Sequence, residues 1–517
     1  MFFDTRLLRD GLDVPADVCI VGAGAAGITL ARKMASSGLR VCLMEGGGLD
    51  FSETSQMVYQ GDNLGEQYDP LHISRLRFFG GSTNHWGGWT RPLDEMDFHR
   101  RDWISGSGWP IKTEDLADYY AETSDILELG PHHYDTDYWE REAGRRLAID
   151  AGDVMTRVFR FSPPTRFGAS YRQAINDSQA IYCFLNANLT DIQFNQNGDV
   201  VKRATFTTEK NTRINVQCRA LVLAAGGIEN ARLMLALNRQ HAAGIGNMND
   251  LVGRYFSDHS GLWAGLVAFS NPKRDLSFYT MHAPFVRSTS HQPRIIASLS
   301  MSSEALTRHE LPNFTAFLMA SNPGITPGDD VSEGITHFSD VQRLITHQAA
   351  ASRYGMAEWS PLMNGASLHH LIINAEQVPN SESRVMLSEK KDRYGMPRGA
   401  LDWRFTEQDH VLHARIASSM AHEFGAAGLG RMLKPRSYDW PPEWREFGRH
   451  HMGTTRMASS ASEGVVDRDC RVFGQKNLYV AGSSVFPTYG YAQPTFTLVA
   501  LSLRLADHLS RTLGGTS

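Results

Sequence analysis

Three stretches of this chain hold residues whose types and spacing could do chemistry. "GRHHMGTTRM" (448–457) carries His450 and His451 side by side, "PTYGYAQPT" (487–495) places Gln493 before a proline, and "FFGGSTNHWGG" (78–88) sets His85 among four glycines. Adjacent residues of a strand or helix point different ways, so His450 and His451 do not ligate one metal from regular backbone. No H-E-x-x-H spacing accompanies them, and Cys19, Cys42, Cys183, Cys218 and Cys470 are scattered without a CxxC. No metal or iron–sulfur centre is expected from such spacing. A lone imidazole, with an ordinary pKa of ~6.5, is instead suited to take the proton of a hydroxyl whose carbon gives up hydride. The Gln493 amide could hold the oxygen of such a substrate. The glycines around His85 point to a loop whose backbone approaches something closely.

The elements that must position these residues begin with "ADVCIVGAGAAGITLARKMASSGLRVCLMEGG" (16–47). Val18 to Val21 read as a buried strand, Ile28, Leu30, Ala31 and Met34 recur at helical spacing, and a second apolar strand follows. Gly22, Gly24 and Gly27 fill G-x-G-x-x-G. The first glycine permits the sharp turn, the second lets backbone reach a pyrophosphate, and the third lets helix and strand pack. The helix, opening at Ala25, then turns its N-terminus toward the phosphates. Glu45 closes the second strand, placed to accept from a ribose diol and to repel a 2′-phosphate. The motif alone does not separate FAD from NAD.

Two later stretches repeat the plan. "CRALVLAAGGIENARLMLAL" (218–237) is a strand, a small-residue turn that includes Ala225 and Gly226, and a helix. "KNLYVAGSSVF" continues into "PTYGYAQPTFTLVALSLRLADHL": a strand over Leu478 to Val480, a turn with Gly482 and Ser483, and a helix opening near Pro494 and Thr495. A compact N-terminal NAD domain would not need this C-terminal return, which is typical of flavoproteins. Between these pieces, roughly residues 265–440 hold runs that alternate as an antiparallel sheet and then a capped helix ending near Gly425. The expected class is α/β: a Rossmann-like FAD-binding domain (1–100, 177–262 and 445–517) interleaved with an antiparallel-sheet substrate domain backed by helices (101–176 and 263–444).

The order of these blocks, with "LVGRYFSDH" (251–259) among them, resembles the glucose–methanol–choline (GMC) oxidoreductases over nearly the whole chain, and most their bacterial sugar-oxidising branch, near pyranose oxidases and glycoside 3-oxidases or 3-dehydrogenases. The resemblance implies FAD-dependent oxidation of a secondary alcohol on a sugar or glycoside to the keto-sugar. A non-sugar alcohol, or a redox-silent lyase on the same scaffold, is the alternative. It implies that His450, opening the family's His-x-x-Gly-Thr block, is the catalytic base. Gln493 stands where the family usually has His or Asn; it keeps an amide but cannot act as a base. Gly80, Gly81, Ser82 and Asn84 fall in the family's flavin-facing loop. For His85 the resemblance leaves three readings: covalent attachment of FAD, non-covalent contact, or packing. Trp86 and Trp89 are expected as walls, and His451 to pack or to touch substrate indirectly. Asp258 and His259 are expected either near the flavin or in a surface turn. Asn374, Glu376 and Gln377 would bind sugar hydroxyls or face solvent.

Composition narrows the partners. With 51 Lys plus Arg against 56 Asp plus Glu, the net charge of −5 speaks against nucleic acid or an anionic membrane. No apolar run is long enough to span a bilayer. Asp4, Arg6, Arg9 and Asp10 interrupt the place of a signal sequence, so a cytoplasmic protein is expected, exported only with a signal-bearing partner such as a small subunit. The electron acceptor, oxygen or a separate redox partner, is left open.

Overall fold

The computed structural model describes residues 1–149, 152–163, 165–271, 273–279, 294–320, 368–434 and 445–514. Residues 321–367 of the expected substrate domain thus lie outside the described residues. Among the described residues no helix is long and apolar enough to cross a membrane.

Near-continuous apolar runs build the first sheet. Its order is Phe2–Asp4, Ile181–Leu185, Val41–Met44, Leu12–Val21, Arg213–Leu223, Val201–Thr207, Asn188–Phe194, with Leu478–Val480 also on Arg213–Leu223. The strands from Phe2–Asp4 to Arg213–Leu223, and Leu478–Val480, pair in parallel. Val18, Ile20, Val41 and Leu43 are wholly buried, as a parallel sheet covered on both faces requires. Helices Ala25–Ala35 and Pro494–Gly514 pack on one another beside it. Register aligns Val21 with Met44 and Leu223, and Leu223 with Val480. Four glycine-bearing turns therefore leave the sheet at one carboxyl edge, where open α/β sheets bind their ligands.

The second sheet is antiparallel: Gly430–Leu433, Ser260–Phe269, Leu368–Ala375, Phe314–Ala320, Arg294–Met301, Val154–Phe161, Trp89–Thr90, with Arg445–Phe447 on Ser260–Phe269. Alternation decides its two faces. Leu318, Leu371 and Ile373 are buried in a core shared with Leu412, Ile416, Met420 and Phe424 of helix Glu407–Ala426. That helix begins with the capping box of Thr406 and Asp409.

One expectation is corrected. Arg384–Lys391 and Pro397–Asp402 do not extend this sheet; they pair with each other, and Pro397–Asp402 with Gly61–Asn63, in a third, three-stranded one. Val385, Leu401 and Trp403 bury against the core of the first sheet, and both strands contact helix Gly227–Ala236. Alternation showed strands but not which core would take their apolar side.

Candidate active site

One cavity of about 1200 Å³ runs from the glycine edge of the first sheet to the open face of the second. At its first end Gly22 has φ +107°, and a Cβ there would meet the Ala224 carbonyl oxygen at 2.6 Å. A Cβ on Gly27 would collide with the Gly22 carbonyl. Gly24 differs: no protein atom lies within 4 Å of its would-be Cβ, and the same holds at Gly226 and Gly482. Three glycines thus border open space that the backbone alone shapes. The Glu45 carboxylate lines the cavity and accepts from the Ala23 N–H (3.0 Å) and the Gly47 N–H (2.8 Å), so its position is fixed. Ala25, Ala225, Ser483, Pro494 and Thr495 line the same space.

The His85 loop is built onto this turn. The Gly80 N–H donates to the Ala23 carbonyl (2.8 Å), and a Cβ on Gly81 would lie 3.1 Å from Gly24 Cα. Gly80 and Gly81 hold φ of +99° and +54°, so the tight approach needs glycine. Gly81, Ser82 and His85 line the cavity. Asn84 does not: its amide donates to the Phe79 carbonyl (3.0 Å) and braces the loop, as Gly80 and Gly27 brace the backbone. The His85 backbone N–H donates to the Ser82 carbonyl (3.2 Å), while its imidazole has no hydrogen-bond partner among the described residues. Burial and the charges of Arg449 and Arg166 push its pKa down to about 4, so the imidazole is neutral at ordinary pH.

At the other end, His450 is held from two sides. Its backbone N–H donates to Asp258 Oδ1 at 2.7 Å, and the Tyr68 hydroxyl donates to Asp258 Oδ2 at 2.6 Å. Asp258 is wholly buried, and burial raises its pKa to about 6. Its carboxylate braces a turn in which Arg449 takes the left-handed φ of +56°. The His450 ring nitrogen Nδ1 lies 3.0 Å from Nδ1 of His259, with the two rings near perpendicular at 86°. Burial chiefly, then His259 and His451, lowers the His450 pKa well below the usual histidine range. Gly448 makes room for it, because a Cβ there would fall on His450 Nδ1. Asp258 and His259 are therefore not a surface turn. His451 packs between Tyr68 and Phe256, yet its Nε2 is buried without a partner among the described residues and the residue lines the cavity.

Gln493 lines the cavity with its Oε1 buried and unpartnered among the described residues. Phe317, Met319, Ile372 and Asn374 project from neighbouring strands into the same space, with Trp86 and Trp89 as further wall. Glu376 and Gln377 do not face it. Glu376 forms a buried ion pair with Arg101 and accepts from the N–H groups of Asn313 and Gly490. The Gln377 side chain is spent on Arg404 and Trp403. The sequence marked "GRYFSDH" as a block but not its contact with His450; for Tyr68 it held no signal.

The open cradle at Gly24, Gly226 and Gly482, the fixed Glu45 carboxylate and the unpartnered polar atoms of Gln493 and His451 fit an elongated dinucleotide with a substrate beyond it. Comparisons agree. Residues 17–243 match the family model described as FAD dependent oxidoreductase, and residues 379–502 the one described as GMC oxidoreductase. The chain is 22% identical to a 2-methyl-1,2-propanediol dehydrogenase of Mycolicibacterium austroafricanum, covering 96% of this chain and 95% of the other. It is 23% identical to the fructose dehydrogenase large subunit of Gluconobacter japonicus, covering 95% and 97%. A C-glycoside 3-oxidase of Arthrobacter globiformis is 30% identical over 32% of this chain and 31% of its own. The fold is shared with the crystal structure of pyridoxine 4-oxidase from Mesorbium loti, at a TM-score of 0.55, 16% identity and coverage of 95% and 99%. The chain belongs to the GMC oxidoreductases, FAD-dependent enzymes that act on CH–OH groups.

Proposed function

We propose that this enzyme oxidises a secondary alcohol of a sugar or glycoside to the keto-sugar, with His450 as the base. One observation carries the base assignment: a half-buried imidazole of lowered pKa borders the same cavity as the dinucleotide-type turn. His450 takes the hydroxyl proton, and Gln493 holds the oxygen that becomes the carbonyl. FAD, when bound, supplies the two-electron acceptor for the hydride that leaves the carbinol carbon. Gly22, Gly24, Ala25, Gly27, Glu45, Ala225, Gly226, Gly482, Ser483, Pro494 and Thr495 hold it, some by contact and some by shaping the turn. Gly80, Gly81, Ser82 and Asn84 carry the loop that faces it. The unpartnered, neutral His85 supports contact with the flavin; acid denaturation, and whether the yellow colour stays with the polypeptide, decides whether a covalent bond joins them.

The fructose and glycoside activities named for two relatives support the sugar reading. A second reading, a smaller non-sugar alcohol, draws on the apolar wall of Trp89, Phe317, Met319 and Ile372 and on the diol named for another relative. Mixing the enzyme anaerobically with pyranoses, glycosides, polyols and aliphatic alcohols separates the two. Bleaching of the flavin by sugars or glycosides is expected, and bleaching by aliphatic alcohols alone would reverse the order. Admitting air then shows whether oxygen is the acceptor.

The sheet memberships support a flavin domain of 1–100, 177–262 and 445–517 and a substrate domain of 101–176 and 263–444. The exceptions are the strand pair within 384–402, which packs on the flavin side, and Trp89–Thr90, Arg445–Phe447 and the start of Ser260–Phe269, which join the second sheet.

A further inference from the structure

We propose that His259 is a positioning residue: it fixes the proton of His450 on Nδ1 and so leaves Nε2 as the atom that receives the substrate's proton. This rests on the reading of His450 as the base. His259 Nε2 lies 3.0 Å from the Gly490 carbonyl oxygen. A carbonyl only accepts, so the ring proton of His259 sits on Nε2. Burial lowers the His259 pKa to about 4, which removes a second ring proton at neutral pH. Its Nδ1 is then a bare lone pair, and it faces Nδ1 of His450 at 3.0 Å. Two bare lone pairs at that distance repel. His450 must therefore carry its own proton on Nδ1 and donate it, and the nitrogen left bare is Nε2. For a histidine base, the hydrogen bond made by one nitrogen sets the state of the other.

The surroundings hold this arrangement in register. The Gly490 N–H donates to Glu376 Oε2 (3.2 Å), whose partner is the buried Arg101. The Tyr489 ring packs edge-on against His259 with centroids 4.8 Å apart. A carbonyl and two imidazoles thus form a chain along which only one proton arrangement satisfies every atom, and His450 at its end lines the cavity. The chain also responds to the reaction. When Nε2 takes the hydroxyl proton, His450 becomes an imidazolium, and its Nδ1–H bond to His259 turns from neutral to charge-assisted. The stronger bond appears only as charge develops, which is where it aids the rate.

Nitrogen-15 NMR of the histidine-labelled holoenzyme tests the arrangement without turnover, because protonated and bare ring nitrogens resonate apart. The signals lost in His450→Ala should show a proton on Nδ1 and a bare Nε2; the opposite pattern overturns the proposal. Kinetics give a second arm. His259→Leu removes the acceptor and should slow anaerobic flavin reduction at saturating alcohol by about 10² or more, as a wrong tautomer does in other His-dependent sites, with KM little changed. His259→Asn, whose Oδ1 stands near the place of Nδ1, should recover to within about tenfold of wild type. A Leu variant at the wild-type rate, or an Asn variant no faster than Leu, counts against His259. A full rate in His450→Ala would instead sink the base assignment, a failure distinct from a wrong tautomer.

Discussion

A base must reach its substrate unprotonated, and at His450, the proposed base, burial would arrange this. Its pKa is lowered, so the active, neutral form persists as pH falls through the ordinary histidine value of ~6.5. The acid limb of alcohol-dependent flavin reduction is expected below pH ~6.5; a limb at or above it would contradict the proposed role. His450→Ala should slow reduction by about 10² to 10⁴, the usual worth of a general base. Gly448→Ala should act on the same step from a distance of two residues, since the new methyl group falls on His450 Nδ1. Flavin content should stay near wild type while reduction slows; an unchanged rate would show that the ring can give way. At this scale the sequence was partly legible. His450 and Gln493 stood out by residue type and glycine-rich setting. The partners of His450 did not, because Asp258 and His259 lie about 190 residues earlier and meet it only when Ser260–Phe269 and the 448–452 turn come together.

Among the elements, the glycine turn separates folding from binding. Gly27→Ala would drive its methyl group into the Gly22 carbonyl, so strand and helix cannot pack as they do. Gly24→Ala meets no protein atom within 4 Å. Its apoprotein should melt close to wild type while flavin retention falls, whereas Gly27→Ala should lose thermal stability even without flavin. Equal melting of the two apoproteins would refute the distinction. The turn, the helix after it and the strands at Val41 and Leu478 were readable from local pattern, because each buries its own apolar run. The pair Arg384–Lys391 and Pro397–Asp402 was readable as strands and misplaced as a sheet. Its partner, Gly61–Asn63, is three residues long and lies far away in sequence. Pattern marks what a strand buries, not against which core.

Over the whole molecule, neutral buried histidines set how stability follows pH. Burial lowers the pKa of His132, His259 and His370 to about 4 and that of His451 to about 3. Each binds a proton more readily unfolded than folded, so their contribution is complete above pH ~6.5 and is lost as pH falls toward 4. Asp97 and Asp258, raised to about 8 and about 6, act with the opposite sign, favouring the fold where they are protonated. The lowered histidines, His85 and His450 among them, outnumber the carboxyls that burial raises, Asp409 included, so the melting temperature is expected to fall between pH 6.5 and 5; a rise over that interval would show the carboxyls in control. One consequence concerns synthesis. Leu478–Val480 docks on Arg213–Leu223, and the turn after it completes the cradle opened at Gly22. A ribosome releases the first wall of that cradle hundreds of residues before the last. A nascent chain cannot enclose its cofactor until Leu478–Val480 and the turn after it emerge, which makes loading an event that follows the synthesis of that strand.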